Sequence, residues 1–204
     1  MTLRIRIFLA AALAALTVSS CTSLPTAGTR GSGYMAGLGV SSPSATGFTN
    51  PAEASSFWDG DSIQGTPSIR INLAAQRAYF YKSGQLVGVS PISTGNDEHA
   101  TPPGRFKVTQ KNKDHESSLY GVIKDLATGQ VVNKDADTRL HKPGPGQEFV
   151  HAPMPFFLRF NGGIGMHAGF LPGYPASHGC VRMPKQMAQK FFEHATPGSP
   201  VTVE

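Results

Sequence analysis

The sequence predicts a mainly β domain, built as a sandwich or barrel with one packed helix. Gly and Pro supply 23 and 16 of the 204 residues, about 19% against an average of about 12%, which favours short strands joined by turns. Apolar and polar residues alternate in many short segments, and only one segment repeats its apolar residues every three to four positions. The length of 204 residues allows one modest domain with additional chain.

The strands are predicted from alternation and from β-branched or aromatic side chains. Ile69, Ile71 and Leu73, for example, alternate with polar neighbours. The segments of this character are 68–73, 77–82, 86–93, 104–111, 120–124, 130–133, 156–160, 163–167 and 199–203. Strands at such short intervals are typical of a sandwich or barrel.

One helix is predicted near the C-terminal end of the sequence. Pro184 suits a first helical position, and Thr196-Pro197-Gly198 ends the segment. Its apolar residues recur at intervals of three and four, so they form one stripe that packs on the sheet. These residues are Met187, Ala188, Phe191, Phe192 and Ala195.

The first 20 residues are typical of an export signal, because Arg4 and Arg6 precede an apolar run that ends in small residues. The following Cys21 completes the segment Val-Ser-Ser-Cys, which resembles the lipobox of bacterial lipoproteins. We therefore expect residues 1–20 to be removed and a lipid on Cys21 to anchor the protein in a membrane. The alternative is a signal peptide cut elsewhere. Thr22, in place of a retention Asp, favours the outer membrane, so the expected location is the cell envelope, facing the periplasm.

Residues 21–66 are predicted to be the lipidated Cys followed by a flexible linker. Of the 45 residues 22–66, 30 are Ser, Gly, Thr, Ala or Pro, and no apolar periodicity persists. Phe57 and Trp58 either dock on the domain as an apolar plug or form its first irregular residues. The domain itself is predicted to span residues 67–204.

The charge of the chain argues against a nucleic-acid partner. The formal net charge is +5, and it falls to +3 when Arg4 and Arg6 leave with the signal segment, since 16 − 13 = 3. No segment interleaves clustered Lys and Arg with aromatic residues.

One short region concentrates reactive side chains. The segment Ser177-His178-Gly179-Cys180-Val181-Arg182 follows His167 closely. If Cys21 is lipidated, Cys180 has no disulfide partner and is a lone thiol. A neighbouring imidazolium can lower a thiol pKa from about 8.5 to between about 3.5 and 7.5, so that the thiolate prevails. Both His167 and His178 are candidate bases on these grounds.

Other interpretations of these residues are open. Cys180 is alternatively an inert buried thiol, or it joins His167 and His178 as three ligands of a zinc ion. Arg182 is alternatively a surface cation. The remaining histidines are expected to be solvated; they are His99, His115, His141, His151 and His194.

The region around Cys180 resembles the active-site signature of the L,D-transpeptidase catalytic domain (YkuD type) in the segment IGMHAGFLPGYPASHGCVRMP. Four further segments resemble that family in the same order: IRINLAAQRAYFYKSGQLVGVSPISTG its opening strands, TPPGRFKV its Thr-Pro-x-Gly-x-Phe element, PMPFFLRF the strand before the active site and PGSPVTV the closing strand. The resemblance covers residues 67–204. It implies a β-sandwich or barrel of the L,D-transpeptidase type, with the helix packed after the catalytic loop.

The resemblance also implies roles for individual residues. Cys180 would be the nucleophile and His167 the general base that takes its proton. The carbonyl of Ala168 or of a close neighbour would orient the imidazole. The N–H groups of Gly179 and Cys180 would form the oxyanion hole. This chain departs from the family in having Ala168 where Gly or Ser is frequent.

The same resemblance gives supporting roles to three other residues of the region. His178 and Ser177 would support the cysteine loop, and Arg182 would hold a substrate carboxylate or brace the loop. The interval between His167 and Ser177 is shorter than in many family members. A Tyr hydroxyl that stabilises the oxyanion in some relatives has no counterpart in the segment 156–160.

The implied function is cysteine acyl transfer on the stem tetrapeptide of peptidoglycan. Terminal D-Ala would leave, and the rest of the peptide would form a thioester with Cys180. An amine would then attack this thioester to make a 3-3 crosslink or an attachment to an amino acid or protein. The loop 133–150, which contains Lys142-Pro143-Gly144-Pro145-Gly146, is a candidate lid. No metal or organic cofactor is expected, and the partners would be stem peptides and a membrane, with the protein a monomer. The alternatives are an L,D-carboxypeptidase, a non-catalytic wall-binding lipoprotein and a metal-dependent amidase.

Overall fold

Eleven strands and one helix follow one another in residues 55–204, the part of the chain that this computed structural model describes. In chain order they are β1 (Phe57–Trp58), β2 (Pro67–Asn72), β3 (Arg77–Lys82), β4 (Gln85–Pro91), β5 (Gly104–Lys107), β6 (Gln110–Asp125), β7 (Val131–Asp137), β8 (Gln147–Asn161), β9 (Ile164–Ala168), β10 (Val181–Met183), α1 (Lys185–His194) and β11 (Pro200–Val203). The predicted export signal and Cys21 lie outside the described residues. Within residues 55–204, no helix combines the length and apolar character needed to cross a membrane.

The first sheet has six strands in the order β1-β4-β3-β2-β11-β5. Its inner face follows from the alternation in the sequence, since Ile69, Ile71, Ala78 and Phe80 are all buried. The last strand, β11, inserts beside β2 in parallel and beside β5 in antiparallel orientation. The C-terminal segment therefore joins β2 to the edge strand β5.

The second sheet has five strands in the order β10-β9-β8-β6-β7. Only β10 and β9 run parallel; the other neighbours are antiparallel. The long strands β6 and β8 form a ribbon whose register shifts between Glu116 and Gly121. This sheet carries the residues discussed below.

The core lies between the two sheets and is completed by α1. Ile71 and Phe80 of the first sheet share one buried cluster with Leu158 of the second sheet and Phe191 of α1. The rings of Phe80 and Phe191 meet edge to face, with centroids 5.0 Å apart. The predicted fold class, mainly β with one packed helix, is confirmed.

The end of the predicted linker belongs to the first sheet. Phe57 and Trp58 form β1 and pair with Val89 and Gly88 of β4, and the Trp58 ring lies 5.4 Å from that of Phe80. They are therefore neither a docked plug nor irregular chain. Both residues gain backbone hydrogen bonds at the open edge of β4, and Trp58 also packs against the core while Phe57 stays 50% exposed. Ordered structure therefore begins before residue 67.

Half of the predicted loop 133–150 is strand. β7 continues to Asp137 and β8 begins at Gln147, which leaves residues 138–146 as the connection. The segment between the predicted strands 104–111 and 120–124 is also extended, as part of β6. These polar segments lack apolar alternation; backbone pairing between the long strands holds them, and that pairing leaves no periodic signal in the sequence.

Candidate active site

Cys180 ends a tight loop that leads into β10. Ser177, which begins the loop, is buried, and its backbone makes hydrogen bonds of 3.0 Å with Thr94 and Asn96. Its hydroxyl donates to the carbonyl of Cys180 and accepts the N–H of Gly179 at 3.1 Å. Gly179 has a φ of +106°, which residues with a Cβ rarely adopt. The loop thereby fixes the position of the sulfur.

Thr101 holds this loop from the outside. Its hydroxyl donates to the carbonyl of Gly179 at 2.8 Å and accepts the N–H of Gly95 at 2.9 Å. Thr101 is buried, so both hydrogen bonds are shielded from water. The sequence alone assigned no role to the Thr-Pro-Pro-Gly element. In the structure its threonine, Thr101, positions the cysteine loop.

Cys180 and His167 lie on neighbouring strands. β9 and β10 are parallel, with Arg182 beside His167. Cys180 comes one residue before β10, so the same register puts it beside Gly165. Because residues two apart on a strand share a face, the side chains of Cys180 and His167 face the same side of the sheet.

The hydrogen bonding of His167 determines which ring nitrogen carries the proton. Nδ1 lies 2.8 Å from the carbonyl oxygen of Ala168, and a carbonyl only accepts, so Nδ1 is the donor. Nε2 is buried and has no hydrogen-bond partner among the described residues. Burial lowers the pKa of His167 to about 4, although the hydrogen bond to Ala168 opposes that shift. At neutral pH the ring is uncharged, with its lone pair on Nε2.

The Cys180 thiol is also neutral in the free protein. Burial raises its pKa, while the Gly165 N–H and the cations Arg182 and Arg159 act in the opposite direction. These directions act against the expectation that a neighbouring imidazolium makes the thiolate dominant. The physical reason is that both groups lose more hydration than their neighbours replace.

His178 forms part of a stacked polar wall. Its ring stacks on Tyr120 at a centroid distance of 4.2 Å and tilts against His99 at 4.7 Å. Its Nε2 lies 3.6 Å from a carboxylate oxygen of Asp135. Burial lowers the pKa of His178, and Asp135 opposes the shift. All five histidines expected to be solvated are half-buried instead; His115, for example, stacks on Phe157 at 4.2 Å.

Arg182 does not lie on the surface. Its side chain is 2% exposed, and its backbone exchanges hydrogen bonds of 2.9 and 3.0 Å with Ser93. An added Cβ on Gly169 would lie only 3.1 to 3.3 Å from the Arg182 methylenes. The surface-cation interpretation is wrong, and this burial suits a bracing role better than contact with a substrate carboxylate.

A groove opens in front of Cys180 where β6 departs from regular pairing. Residues 117–120 stand out of the β6–β8 ribbon at the register shift. The Ser117 hydroxyl stabilises this bulge by accepting the N–H groups of Leu119 and Tyr120 at 3.2 and 2.9 Å. The bulge therefore forms one wall of the groove.

The groove encloses about 200 Å³. Its walls combine apolar and polar side chains, and none of those lining it in residues 55–204 is acidic. The lining residues are His115, Ser117, Ser118, Leu119, Tyr120, Met154, Arg159, Gly163, Ile164, His178 and Cys180. Cys180 is partly exposed, and its sulfur lies 4.0 Å from the carbonyl oxygen of Gly163.

The arrangement can supply a nucleophile and a base. In residues 55–204, no three His, Cys, Asp or Glu side chains form a group that could hold a metal ion. Sequence reasoning did not identify Thr101, Tyr120, Arg159 or the Ser117 bulge. Thr101 lies in the TPPGRFKV segment and Arg159 in the PMPFFLRF segment, but the resemblance gave neither residue a role. Tyr120 and the Ser117 bulge enter the site through strand register, which leaves no local signal.

Replacing Thr101 with valine is expected to loosen the cysteine loop. The change keeps the side-chain shape but leaves the buried Gly95 N–H and Gly179 carbonyl without their partner, which costs about 1 to 3 kcal/mol of stability. A looser loop exposes the thiol, so alkylation of Cys180 by iodoacetamide should accelerate severalfold. Urea unfolding and peptide-resolved mass spectrometry measure the two effects.

The matched control is Thr196→Val, which removes an exposed threonine hydroxyl 3.3 Å from Ser199. It should leave both the stability and the alkylation rate nearly unchanged. Equal alkylation rates for the Thr101→Val variant and the unaltered protein would show that Thr101 does not hold the loop.

The fold and site together define a two-sheet β domain with a Cys–His pair on adjacent strands. The family model of the YkuD L,D-transpeptidase catalytic domain matches residues 66–203. The chain belongs to this family. No match is found among the curated proteins.

Solved structures of L,D-transpeptidases resemble the chain in fold. One from Enterococcus faecium, a mutant enzyme, matches at a TM-score of 0.50 and 22% identity, over 69% of this chain and 50% of that one. One from Mycobacterium smegmatis matches at a TM-score of 0.51 and 18% identity, over 69% of this chain and 59% of that one. LD transpeptidase LdtMt1 in complex with imipenem matches at a TM-score of 0.51 and 16% identity, over 68% of this chain and 59% of that one. This chain thus spans 50 to 59% of the length of those chains.

Proposed function

We propose that the domain is a cysteine acyl transferase that acts on stem tetrapeptides of peptidoglycan. Cys180 attacks the carbonyl carbon of the third residue, a diamino acid, and terminal D-Ala leaves. The observation that carries the proposal is the pairing of a groove-lining thiol with a neutral imidazole on the adjacent strand. Membership of the L,D-transpeptidase family supports the choice of substrate.

The first proton transfer follows from the neutral state of both groups. Nε2 of His167 takes the Sγ–H proton as the sulfur–carbon bond forms, because a thiol is a poor nucleophile until it loses that proton. The carbonyl of Ala168 stabilises the resulting imidazolium at Nδ1. The imidazolium then returns the proton to the nitrogen of D-Ala as the carbon–nitrogen bond breaks, which leaves a thioester on Cys180.

Backbone N–H groups of the cysteine loop stabilise the negative oxygen of the tetrahedral intermediate. The Cys180 N–H is the first donor in this proposal. The Gly179 N–H donates to Ser177 in the free protein, so it becomes the second donor only after that bond opens. Ser177 and His178 support the loop, and Arg182 braces it.

An amine acceptor completes the reaction. The side-chain amine of a neighbouring stem gives a 3-3 crosslink, and a protein lysine or a free amino acid gives an attachment; water would give a carboxypeptidase. Preference for an amine requires exclusion of water, and the loop 138–146 is our candidate lid. Its first residue, Thr138, donates to the carbonyl of Leu119 at 2.9 Å, and Arg139 Nη2 lies 3.4 Å from the Tyr120 hydroxyl.

The setting of the domain belongs to the same proposal. A lipid on Cys21 and the linker that follows would hold a monomer in the cell envelope, facing the periplasm. The sequence pattern of residues 1–22 favours this location. The domain boundaries proposed are 1–20, 21–66 and 67–204, with ordered structure extending back to Phe57. Mass spectrometry of the N-terminal peptide of the mature protein tests the lipid.

The proposed reaction is tested by incubating the full chain with a disaccharide tetrapeptide. Mass spectrometry should detect free D-Ala together with crosslinked dimers, and iodoacetamide should stop both while a chelator leaves them unchanged. Tripeptide without dimers would identify a carboxypeptidase. Peptide binding without release of D-Ala would identify a wall-binding protein, and loss of activity with the chelator alone would identify a metal-dependent amidase.

The thioester also predicts sensitivity to carbapenems. LdtMt1, which shares the fold, is described in complex with imipenem. We expect imipenem to add its mass to the peptide that contains Cys180 and to block release of D-Ala.

A further inference from the structure

Arg159 is the cation on the wall of the groove, and its guanidinium is held in place. Nε donates to Gln110 at 2.7 Å and Nη1 donates to the carbonyl of Gly162 at 2.9 Å. The guanidinium carbon also lies 5.1 Å from the centre of the Phe157 ring. Because three contacts fix the planar group, little side-chain freedom remains to be lost when a ligand binds.

Strand register puts Arg159 and Cys180 at the same level of the sheet. Arg159 on β8 pairs with Gly165 on β9, and Gly165 is the neighbour of Cys180. One strand therefore separates the two residues, which sets their Cα atoms about 10 Å apart at the usual strand spacing. Gly165 carries no side chain that could stand between the cation and the sulfur.

The charge of Arg159 has no counterpart within the described part of the chain. No Asp or Glu of residues 55–204 lies within ion-pair distance of it, and Nη2 donates to none of these residues. The groove lining contains no acidic side chain. A fixed guanidinium with N–H groups to spare is suited to bind a carboxylate through two parallel hydrogen bonds.

We propose that Arg159 is a substrate-binding residue that recognises a free carboxylate on the donor peptide. This inference rests on the proposed function, because it names the chemistry of the ligand at the same site. The free carboxylates to be tested are those of the terminal D-Ala and of the diamino acid side chain. The buried Arg182 leaves this role to Arg159.

Binding to a Cys180→Ala form of the full chain tests the inference without any chemical step. Calorimetry compares the tetrapeptide with two amidated peptides, one at the terminal carboxylate and one at the side-chain carboxylate of the diamino acid. We expect one of the two amidated peptides to bind about 10- to 100-fold more weakly than the unmodified tetrapeptide, as the loss of a charged hydrogen bond predicts. The weaker amide identifies the carboxylate that Arg159 holds.

The same titrations on variants assign the effect to Arg159. Adding Arg159→Gln should remove the preference for the acid, whereas Arg159→Lys should retain part of it. The matched control is Arg105→Gln, an exposed arginine on β5 of the other sheet, which should keep the full preference. The preference is a ratio within one protein, so partial unfolding of a variant does not alter it.

The inference is overturned if both amides bind as tightly as the acid, if Arg159→Gln keeps the preference, or if the tetrapeptide shows no binding at millimolar concentration. Failure of the proposed function is a separate result. In that case the intact protein releases no D-Ala, while the acid preference and its dependence on Arg159 persist.

Discussion

A Cys180→Ser variant is expected to release D-Ala at least about 10⁴-fold more slowly than the intact protein, as removal of a catalytic nucleophile generally does. A serine hydroxyl is far less acidic than a thiol. His167, whose pKa burial lowers to about 4, is too weak a base to activate it. Release of D-Ala from the disaccharide tetrapeptide, followed by mass spectrometry, gives the rate.

The fold should survive this change, because the sulfur is partly exposed and serine is nearly isosteric. The thermal unfolding midpoint should stay within about 2 °C of that of the intact protein, less than a change of 1 kcal/mol would cause. The imipenem adduct should disappear from the same variant. Activity within tenfold of the intact protein would exclude Cys180 as the nucleophile.

A His167→Asn variant is expected to lower kcat/KM by about 10²- to 10⁴-fold, the contribution typical of a positioned general base. Asparagine retains a donor for the carbonyl of Ala168 but has no basic nitrogen. The matched control is His194→Asn, since His194 packs against Trp58 with ring centroids 4.9 Å apart and does not line the groove. It should keep nearly full activity.

The pH dependence of activity gives a second measurement of His167. A general base must be neutral, and burial lowers its pKa to about 4. For the intact protein, kcat/KM should therefore stay level as the pH falls from 7 to about 5 and decline with a midpoint near 4. A decline centred at the ordinary imidazole value of about 6.5 would contradict a buried, neutral His167.

The same group should make stability depend on pH. The pKa of His167 is about 4 in the folded protein and about 6.5 in the unfolded chain, so between these values only the unfolded chain binds the proton. The stabilisation is complete above about pH 6.5 and is lost as the pH falls towards 4, by roughly 3 kcal/mol. The free energy of unfolding, measured in urea at several pH values, should show this decrease for the intact protein and not for the His167→Asn variant.

Much of the fold could be predicted because its signals are local. The alternation of Ile69 and Ile71 predicts β2, and the stripe through Met187 and Phe191 predicts α1, whose buried face matches it. The ribbon of β6 and β8 could not be predicted to its full length. Its polar middle segment has no periodic apolar signal and is held by backbone pairing with residues some 40 positions away.

The site divides in the same way. Cys180 and His167 stand out from the sequence because a lone thiol and two imidazoles lie within 14 residues, 167–180. Their protonation states cannot be predicted from the sequence, since they depend on burial by distant segments. Tyr120 and Arg159 line the groove and Thr101 holds the cysteine loop; they come from three other parts of the chain, and only the assembled sheets bring them together.

The sequence by itself determined the β architecture, the helix and the identity of the reactive side chains, because alternation and residue type are properties of short segments. The tertiary structure alone decided that the thiol and imidazole start neutral, that Arg182 is buried and that Arg159 faces the groove. Those outcomes depend on strand register and on the loss of hydration, and both arise only when segments far apart in the chain pack against one another.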